Sequence, residues 1–429
     1  MSDCPKPRLL SLSHRKLPLT PFGCLWIPCS NRFVCLGTDS GSGAPNRGII
    51  RVYGTTSGEI RDVHTPLVTF CTNIPESTIS VSFLILLWDV EPTGRTSTYC
   101  PLLIALELTY IQRAVKSHSH FSESGTTYKP NQIEKPRAFR CGTFGATSLQ
   151  QRHLATGDFE GNLHIWNLEA SETPLYSAKA HLEIINGIDG VGGLENGHGA
   201  PEIVTGSRDG TVKVWDSRQK DLPVANMEPA VGFNRRDCWT VAFGHSCSQW
   251  DRCVCAGYDN GDIKLFDLRN MEVRWETNVK SGVCCVEFAG KDMSLNKLVA
   301  TTLEGRVHVF NMQKYHTNSG FICRSEKPYK FTAWVVRHLP QNRTVFITSG
   351  GAGCLHLWKH SESSLMLERS DNEPDDKTST CTTTLLNTIS LSSQPIGSLD
   401  WNTDKQGLCI CASFDHNVHI LIIAEQQCF

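Results

Sequence analysis

The chain has no surplus of positive charge. Its 41 Lys and Arg are offset by 43 Asp and Glu, for a formal net charge of −2. Nothing in that balance neutralises a phosphate backbone, which argues against a nucleic-acid partner. There are nineteen cysteines in 429 residues, yet no two stand at C-x-x-C spacing, so a thiolate zinc site of the usual form has no support. They are odd in number and scattered, and Cys255, Cys284, Cys285, Cys409 and Cys411 sit inside apolar strand-like runs. They read as small buried thiols of a reducing compartment rather than a disulfide framework. No run reaches the roughly 18 apolar residues of a membrane span, and the opening MSDCPKPRLL lacks a secretory apolar core. A cytoplasmic protein with no membrane partner is expected. No G-x-S-x-G elbow occurs, which leaves a serine hydrolase without its nucleophile turn.

What is present is a repeat. In IVTGSRDGTVKVWD (203–216) two short β runs flank Asp209-Gly210, read as a two-residue hairpin turn because Asp-Gly tolerates positive φ. A small residue nine positions before an aromatic recurs in GDFEGNLHIW (157–166), GSRDGTVKVW (206–215), GYDNGDIKLF (257–266), TTLEGRVHVF (301–310) and SGGAGCLHLW (349–358). The frame appears once more in ASFDHNVHIL (412–421), with Leu421 in the aromatic slot. The slots are 49, 51, 44, 48 and 63 residues apart, close to the ~40–45 residues of a four-stranded propeller blade with loops added. Upstream apolar runs at 238–243, 282–288, 334–339 and 396–401 supply the innermost strands. Within the third strands the period is two, and no helical period competes with it. The column His164, His308, His356 and His419 alternates with the apolar positions and reads as solvated or inter-blade, since each His lies on a different blade.

A looser unit near the start has strands at 22–28, 33–37 and 49–53, so residues 1–60 are expected to hold a closing strand and a first blade. A run at 8–13 supplies the fourth strand of the last blade, which closes the ring and removes free edges. Residues 135–429 hold the other six blades. Tyr53 and Trp166 are 113 positions apart, too far for one blade. The surplus, 61–134, reads as a foreign insertion after the Tyr53 strand, of the kind a translated intron or faulty gene model produces; a lineage-specific loop is the alternative. Its SVSFLILLWDV (80–90) ends in Trp-Asp but lacks the preceding Gly turn, so it is a decoy and not an eighth blade. A polar stretch, 362–384, reads as a surface loop.

The pattern resembles that of WD-repeat proteins and implies an all-β, seven-bladed propeller with an atypical insertion. The resemblance assigns His181, Thr205, Asp209 and Trp215 to a structural hydrogen-bonded tetrad within one blade. The residues before the turn acids (Phe159, Arg208, Asp259, Leu303, Gly351 and Phe414) fall at one mouth of the channel, where loops on a rigid scaffold carry recognition. Phe159, Arg208, Asp259, Leu303 and Phe414 are the candidate partner-binding residues, with the two phenylalanines as apolar anchors. Local turn geometry is the competing reason for them. Trp-Asp-x-Arg at 215–218, echoed by 266–269, resembles the box by which some propellers dock on cullin-type ubiquitin ligases, through Arg218 and Arg269; an Arg capping strand-end carbonyls or solvated on the rim is the alternative.

Longer blocks narrow the resemblance. CGTFGATSLQQRHLATGDFEGNLHIWNLEA (141–170), NMEPAVGFNRRDCWTVAFG (226–244), CAGYDNGDIKLFDLRNMEVRWETN (255–278) and VRHLPQNRTVFITSGGAGCLHLWK (336–359) look like WD-repeat factors of axonemal dynein assembly. The likeness is weak over 1–60, strong over 136–423 and absent from 61–134. It implies a non-catalytic, cofactor-free cytoplasmic adaptor that works with RuvB-like ATPases and prefoldin-like co-chaperone subunits on axonemal dynein heavy chains. An apoptosis-modulating role is implied as well.

Overall fold

The computed structural model describes residues 7–39, 47–56, 59–63, 132–170, 173–193, 200–219, 222–229, 235–244, 252–316, 320–363 and 380–424. The period-two runs form twenty-nine strands among these residues, arranged as seven antiparallel sheets. Setting aside β1 (Arg8–Lys16), the first blade runs outward from β2 (Leu19–Trp26) through β3 (Arg32–Asp39) and β4 (Gly48–Thr56) to two short outer strands, β5 (Glu59–Asp62) and β6 (Gln132–Lys135). Blade 2 is β7 (Phe139–Thr143), β8 (Leu154–Asp158), β9 (Asn162–Trp166) and β10 (Tyr176–Lys179). Blade 3 is β11 (Ile185–Val191), β12 (Glu202–Ser207), β13 (Val212–Asp216) and β14 (Ala225–Met227). Blade 4 is β15 (Cys238–Gly244), β16 (Cys253–Tyr258), β17 (Asp262–Asp267) and β18 (Glu272–Asn278), and blade 5 is β19 (Val283–Phe288), β20 (Lys297–Thr302), β21 (Val307–His316) and β22 (Gly320–Glu326). Blade 6 is β23 (Ala333–Leu339), β24 (Asn342–Gly350), β25 (Cys354–Ser363) and β26 (Thr380–Ser390). Blade 7 takes β27 (Ile396–Trp401), β28 (Leu408–Ser413) and β29 (Asn417–Ala424), and β1 completes it.

Each inner strand packs on the next, and β27 packs on β2, so the ring is closed. The closing strand is longer than the 8–13 run: Arg8 pairs with Ala424 and Lys16 with Asn417. The core lies between blades. One cluster joins Val204 and Val214 of blade 3 to Phe243, Val254 and Phe266 of blade 4. Another joins Cys35 and Tyr53 of blade 1 to Ile410 and Ile420 of blade 7. Because every blade buries both faces, the second strands are largely buried rather than alternating; all six residues of β16 and of β28 are buried. The thirteen described cysteines are free, and most belong to this packing.

Three expectations are corrected in detail. The hairpin turn is not a two-residue one. Gly210 N donates to Ser207 O (3.0 Å) and Ser207 N to Thr211 O (3.2 Å), and within the turn only Gly210 has positive φ, +81°. This is a three-residue loop, a type I turn followed by one left-handed residue. Gly161, Gly261, Gly305 and Gly353 hold the same place in other blades, and His416 holds it in blade 7 at φ 68°. The stretch 362–384 is not all loop, because Glu362 pairs with Cys381 and Lys359 with Thr384. Finally, the edges of 61–134 belong to blade 1. Tyr53 faces Asp62 on β5, Arg51 faces Gln132 on β6, and Val63 N donates to Val52 O (3.4 Å) between them. The interruption therefore falls inside the fourth strand rather than after the third. Residues 64–131, with the Trp-Asp decoy, lie outside the described residues.

Candidate functional site

Two strands of one blade, β12 and β13, the turn between them and the loop before β11 bring the quartet together. Trp215 Nε1 donates to Thr205 Oγ1 (2.9 Å), which lies 2.7 Å from His181 Nε2. On the other side of the ring, His181 Nδ1 lies 2.8 Å from Thr211 Oγ1, which donates to Asp209 Oδ1 (2.7 Å). Asp209 Oδ2 accepts from Leu182 N (2.9 Å). With the proton placed on Nδ1, every donor in the chain meets an acceptor. Thr211 is the member that sequence reasoning missed; its signal was a hydroxyl directly after the turn glycine. Burial would raise Asp209, but hydrogen bonds involving His181 and Thr211 outweigh it and hold the carboxyl well below the ordinary range. Burial lowers His181, against the pull of Asp209. His181 is 2% exposed and Thr205 0%. A His, a hydroxyl and a carboxylate in line would suggest nucleophilic catalysis, yet no substrate reaches a hydroxyl enclosed between strands. The group ties the loop before β11 to the turn after β12, which is structural work.

Other blades keep only parts of it. Trp166 Nε1 donates to Thr156 Oγ1 (2.9 Å) in blade 2, where Lys135 Nζ lies 5.1 Å from the indole centroid. Trp358 Nε1 donates to Thr348 Oγ1 (2.9 Å) in blade 6, and there the Tyr329 hydroxyl, 2.7 Å from that oxygen, replaces the imidazole. The third-strand histidines are expected to be solvated or inter-blade, but His308, His356 and His419 are buried against residues of their own blades and His164 is half-buried. His356 stacks on Tyr329 (4.3 Å between centroids), and His419 stacks on His14 of β1 (5.8 Å). His308 lies 3.9 Å from Cys323 Sγ, whereas His164 lies 2.9 Å from Ser177 Oγ.

The surface able to meet a partner is the channel mouth beneath the turn tips. Near its upper end each inner strand slips register, which turns one side chain toward the axis. Phe22, Arg140, Asn186 and Trp239 occupy the slips of blades 1 to 4, and Cys284, Trp334 and Gly397 those of blades 5 to 7. Together they line an upper cavity of about 310 Å³. Simple alternation along the strand cannot reveal a bulge, so none of these seven was legible as a site residue. Two of the expected tips join them. Phe159 lies 5.4 Å from Phe22, and Phe414 lies 6.5 Å from Phe22 and 6.0 Å from Trp334, between ring centroids. Phe414 fits because Gly397 is beneath it: a Cβ there would come within 2.8 Å of the Phe414 ring. Leu303, 40% exposed, lines the same cavity. Arg208 is held between Glu183 and Asp237, each 3.5 Å away, and Asp259 is half-buried outside the cavity wall. The aromatic tips therefore converge, and the charged tips do not join them.

The lower cavity, about 230 Å³, has a different character, with Asp189, Glu287, Asp400 and Asp404 in its wall beside Lys291 and Arg337. Its carboxylates cross from blade to blade. Asp400 accepts from Trp26 N (2.8 Å), Asp189 from Phe243 N (2.9 Å) and Glu287 from His338 N (2.6 Å). Burial raises the Asp400 carboxyl to about 6. At the outer end of blade 3, Arg218 is spent on its own turn, donating to Asp216 through Nε (2.9 Å) and Nη2 (2.6 Å). Arg269 donates its backbone N–H to Asp267 (2.8 Å) and Nε to Asn270 (3.4 Å). Neither guanidinium is therefore seen capping a strand-end carbonyl: that of Arg218 is bound to a carboxylate and that of Arg269 to a side-chain amide.

Residues 172–216, which contain the full quartet, match the family model for the WD domain, G-beta repeat. Over its length the chain is similar to proteins named dynein axonemal assembly factor 10. The Xenopus tropicalis protein is 50% identical over 424 residues, covering 99% of this chain and 98% of that one. The Homo sapiens protein is 49% identical over 425 residues, with 99% of each covered, and the Chlamydomonas reinhardtii protein is 38% identical over 421 residues, with 98% of each covered. A seven-bladed ring, a G-beta repeat and this extent of identity place the chain in the dynein axonemal assembly factor 10 family of WD-repeat proteins.

Proposed function

We propose that this propeller is a non-catalytic cytoplasmic adaptor in the assembly of axonemal dynein, presenting dynein heavy chains to a co-chaperone machine of RuvB-like ATPases and prefoldin-like subunits. The end-to-end identity to dynein axonemal assembly factors carries this reading. The architecture supports it physically. A closed ring with an aromatic upper mouth and an acidic lower one offers two surfaces of unlike chemistry, so a client and a chaperone can be held together without competing. The quartet supports a scaffold rather than an enzyme, because its polar groups satisfy one another away from solvent. The alternative, a cullin-type ligase receptor docking through Arg218 and Arg269, is weaker, since Arg218 already spends its guanidinium on Asp216. Cross-linked affinity purification from ciliated cells tests the proposal. Dynein heavy chains and co-chaperone subunits are expected in the eluate, and their absence, or ligase subunits in their place that vanish in an Arg218→Gln, Arg269→Gln variant, would overturn it.

A further inference from the structure

The wall of the upper cavity contains two guanidiniums, Arg140 and Arg337, and no carboxylate. Arg337 has partners: Nη1 donates to Val336 O (2.8 Å) and lies 4.0 Å from Glu287. Arg140 has no carboxylate partner among the described residues. Its guanidinium stands 5.8 Å from the centroid of Phe22, and burial lowers its pKa. A cation held over an aromatic face, partly stripped of water and left without a counter-charge, is the half of an ion pair that a ligand completes. Around it, Phe159, Phe22, Phe414 and Trp334 make a continuous aromatic arc across blades 2, 1, 7 and 6. Phe159 is 39% exposed, as an anchor for a partner must be. The opposite mouth reverses the balance, with four carboxylates beside two cations, so the two ends of the channel differ in charge.

We infer that the upper mouth docks an acidic, unmodified peptide segment, with one carboxylate on Arg140 and its neighbouring apolar side chains against Phe22, Phe414 and Trp334. The inference deepens the adaptor reading and rests on it for the source of that segment, while its chemistry stands on the cavity alone. Aromatic contacts supply the area and the guanidinium sets the register, the usual division between anchor and orienting charge in a peptide site.

The test uses the full chain and a fluorescein-labelled peptide of sequence Glu-Asp-Phe-Glu-Asp-Leu, with its Gln/Asn counterpart and a phosphoserine version, read by fluorescence polarisation. The acidic peptide is expected to bind at least tenfold more tightly than the amide counterpart and to weaken as salt rises from 0.05 to 0.5 M, about the range over which exposed ion pairs are screened. Arg140→Gln should remove at least tenfold of the affinity, Arg140→Lys should restore part of it, and Arg218→Gln at the far end of blade 3 should change nothing. An unaltered thermal midpoint in Arg140→Gln establishes that the ring is intact. Equal affinity for the acidic and amide peptides, binding of the phosphoserine version alone, or indifference to Arg140→Gln would each overturn the site. Peptide binding through Arg140 in a chain that recovers no dynein subunits from cells refutes the adaptor reading and leaves the site standing. Recovery of those subunits without peptide binding does the reverse.

Discussion

Replacing Thr205 by Val keeps the side-chain shape and deletes the oxygen on which two other residues depend. Trp215 Nε1 loses its acceptor at 2.9 Å, and His181 Nε2 loses its neighbour at 2.7 Å. Both groups stay sealed from water, with Trp215 2% exposed. A buried polar group left unpaired costs about 1–3 kcal/mol, so the two together should cost roughly 2–6 kcal/mol. The same change elsewhere provides internal controls. Thr156→Val orphans Trp166 alone. Thr348→Val orphans Trp358, while Tyr329 keeps a hydrogen bond to Thr348 O (2.8 Å). Each control should cost about half as much, roughly 1–3 kcal/mol. Urea midpoints at unchanged slope give the ranking, and hydrogen exchange across β12 and β13 reports whether the loss is local to blade 3. A Thr205→Val variant no less stable than Thr156→Val would refute the idea that the imidazole shares that oxygen.

Removing 64–131 and joining Val63 to Gln132 should give one continuous outer strand on β4, because Asp62, Val63 and Gln132 face Tyr53, Val52 and Arg51 in turn. The thermal midpoint should equal or exceed that of the full chain, and a lower one would refute this register. Stability should fall as pH drops from 6.5 to about 4. Burial holds His308, His356 and His360 near 4 in the fold, so the unfolded chain takes up protons first. Asp400 acts oppositely, since the fold keeps its proton up to about 6 and the unfolded chain loses it near 3.8, and burial raises Asp237 as well, but these two are outnumbered by the three histidines together with His153, His181, His338 and His419, which burial also lowers. A His308→Gln, His356→Gln, His360→Gln variant should show a flatter melting profile between pH 7 and 5, and an unchanged slope would reject the assignment. Gly353→Ala should destabilise by more than the ~1 kcal/mol of a positive φ, because its Cβ would come within 2.0 Å of Ser392 O. Equal urea midpoints for that variant and the parent would show that the turn yields.

The spacing of Gly157, Gly206 and Gly257 from their aromatics made the blades legible, since a hairpin of fixed length imposes a fixed interval. The tetrad was readable in blade 3 because all its members are present there. In blades 2 and 6 Lys135 and Tyr329 occupy the histidine's place, and no residue type announces it. The mouth was half visible. Phe159 and Phe414 stood out beside the turn acids, but Phe22, Arg140 and Trp334 reach the axis only through bulges, where the alternation that identifies a strand misassigns the face. The third-strand histidines misled for a related reason, because polar residues that alternate with apolar ones look solvated until a fourth strand or an incoming loop covers them. The position of the interruption in blade 1 depended on the pairing of β4 with both its neighbour β5 and the distant β6, and neither is long enough to declare itself a strand.

The pairing of β1 with β29 has a bearing on how the protein is born. A ribosome delivers Arg8 long before its partner Ala424, so β1 waits unpaired while the strands between them are made. Contacts so remote along the chain put it among slow folders with a long vulnerable interval. A nascent chain in that interval has two unmated strands at one seam. Until β29 emerges the polypeptide is thus exposed to the edge-strand hazard that the finished ring removes.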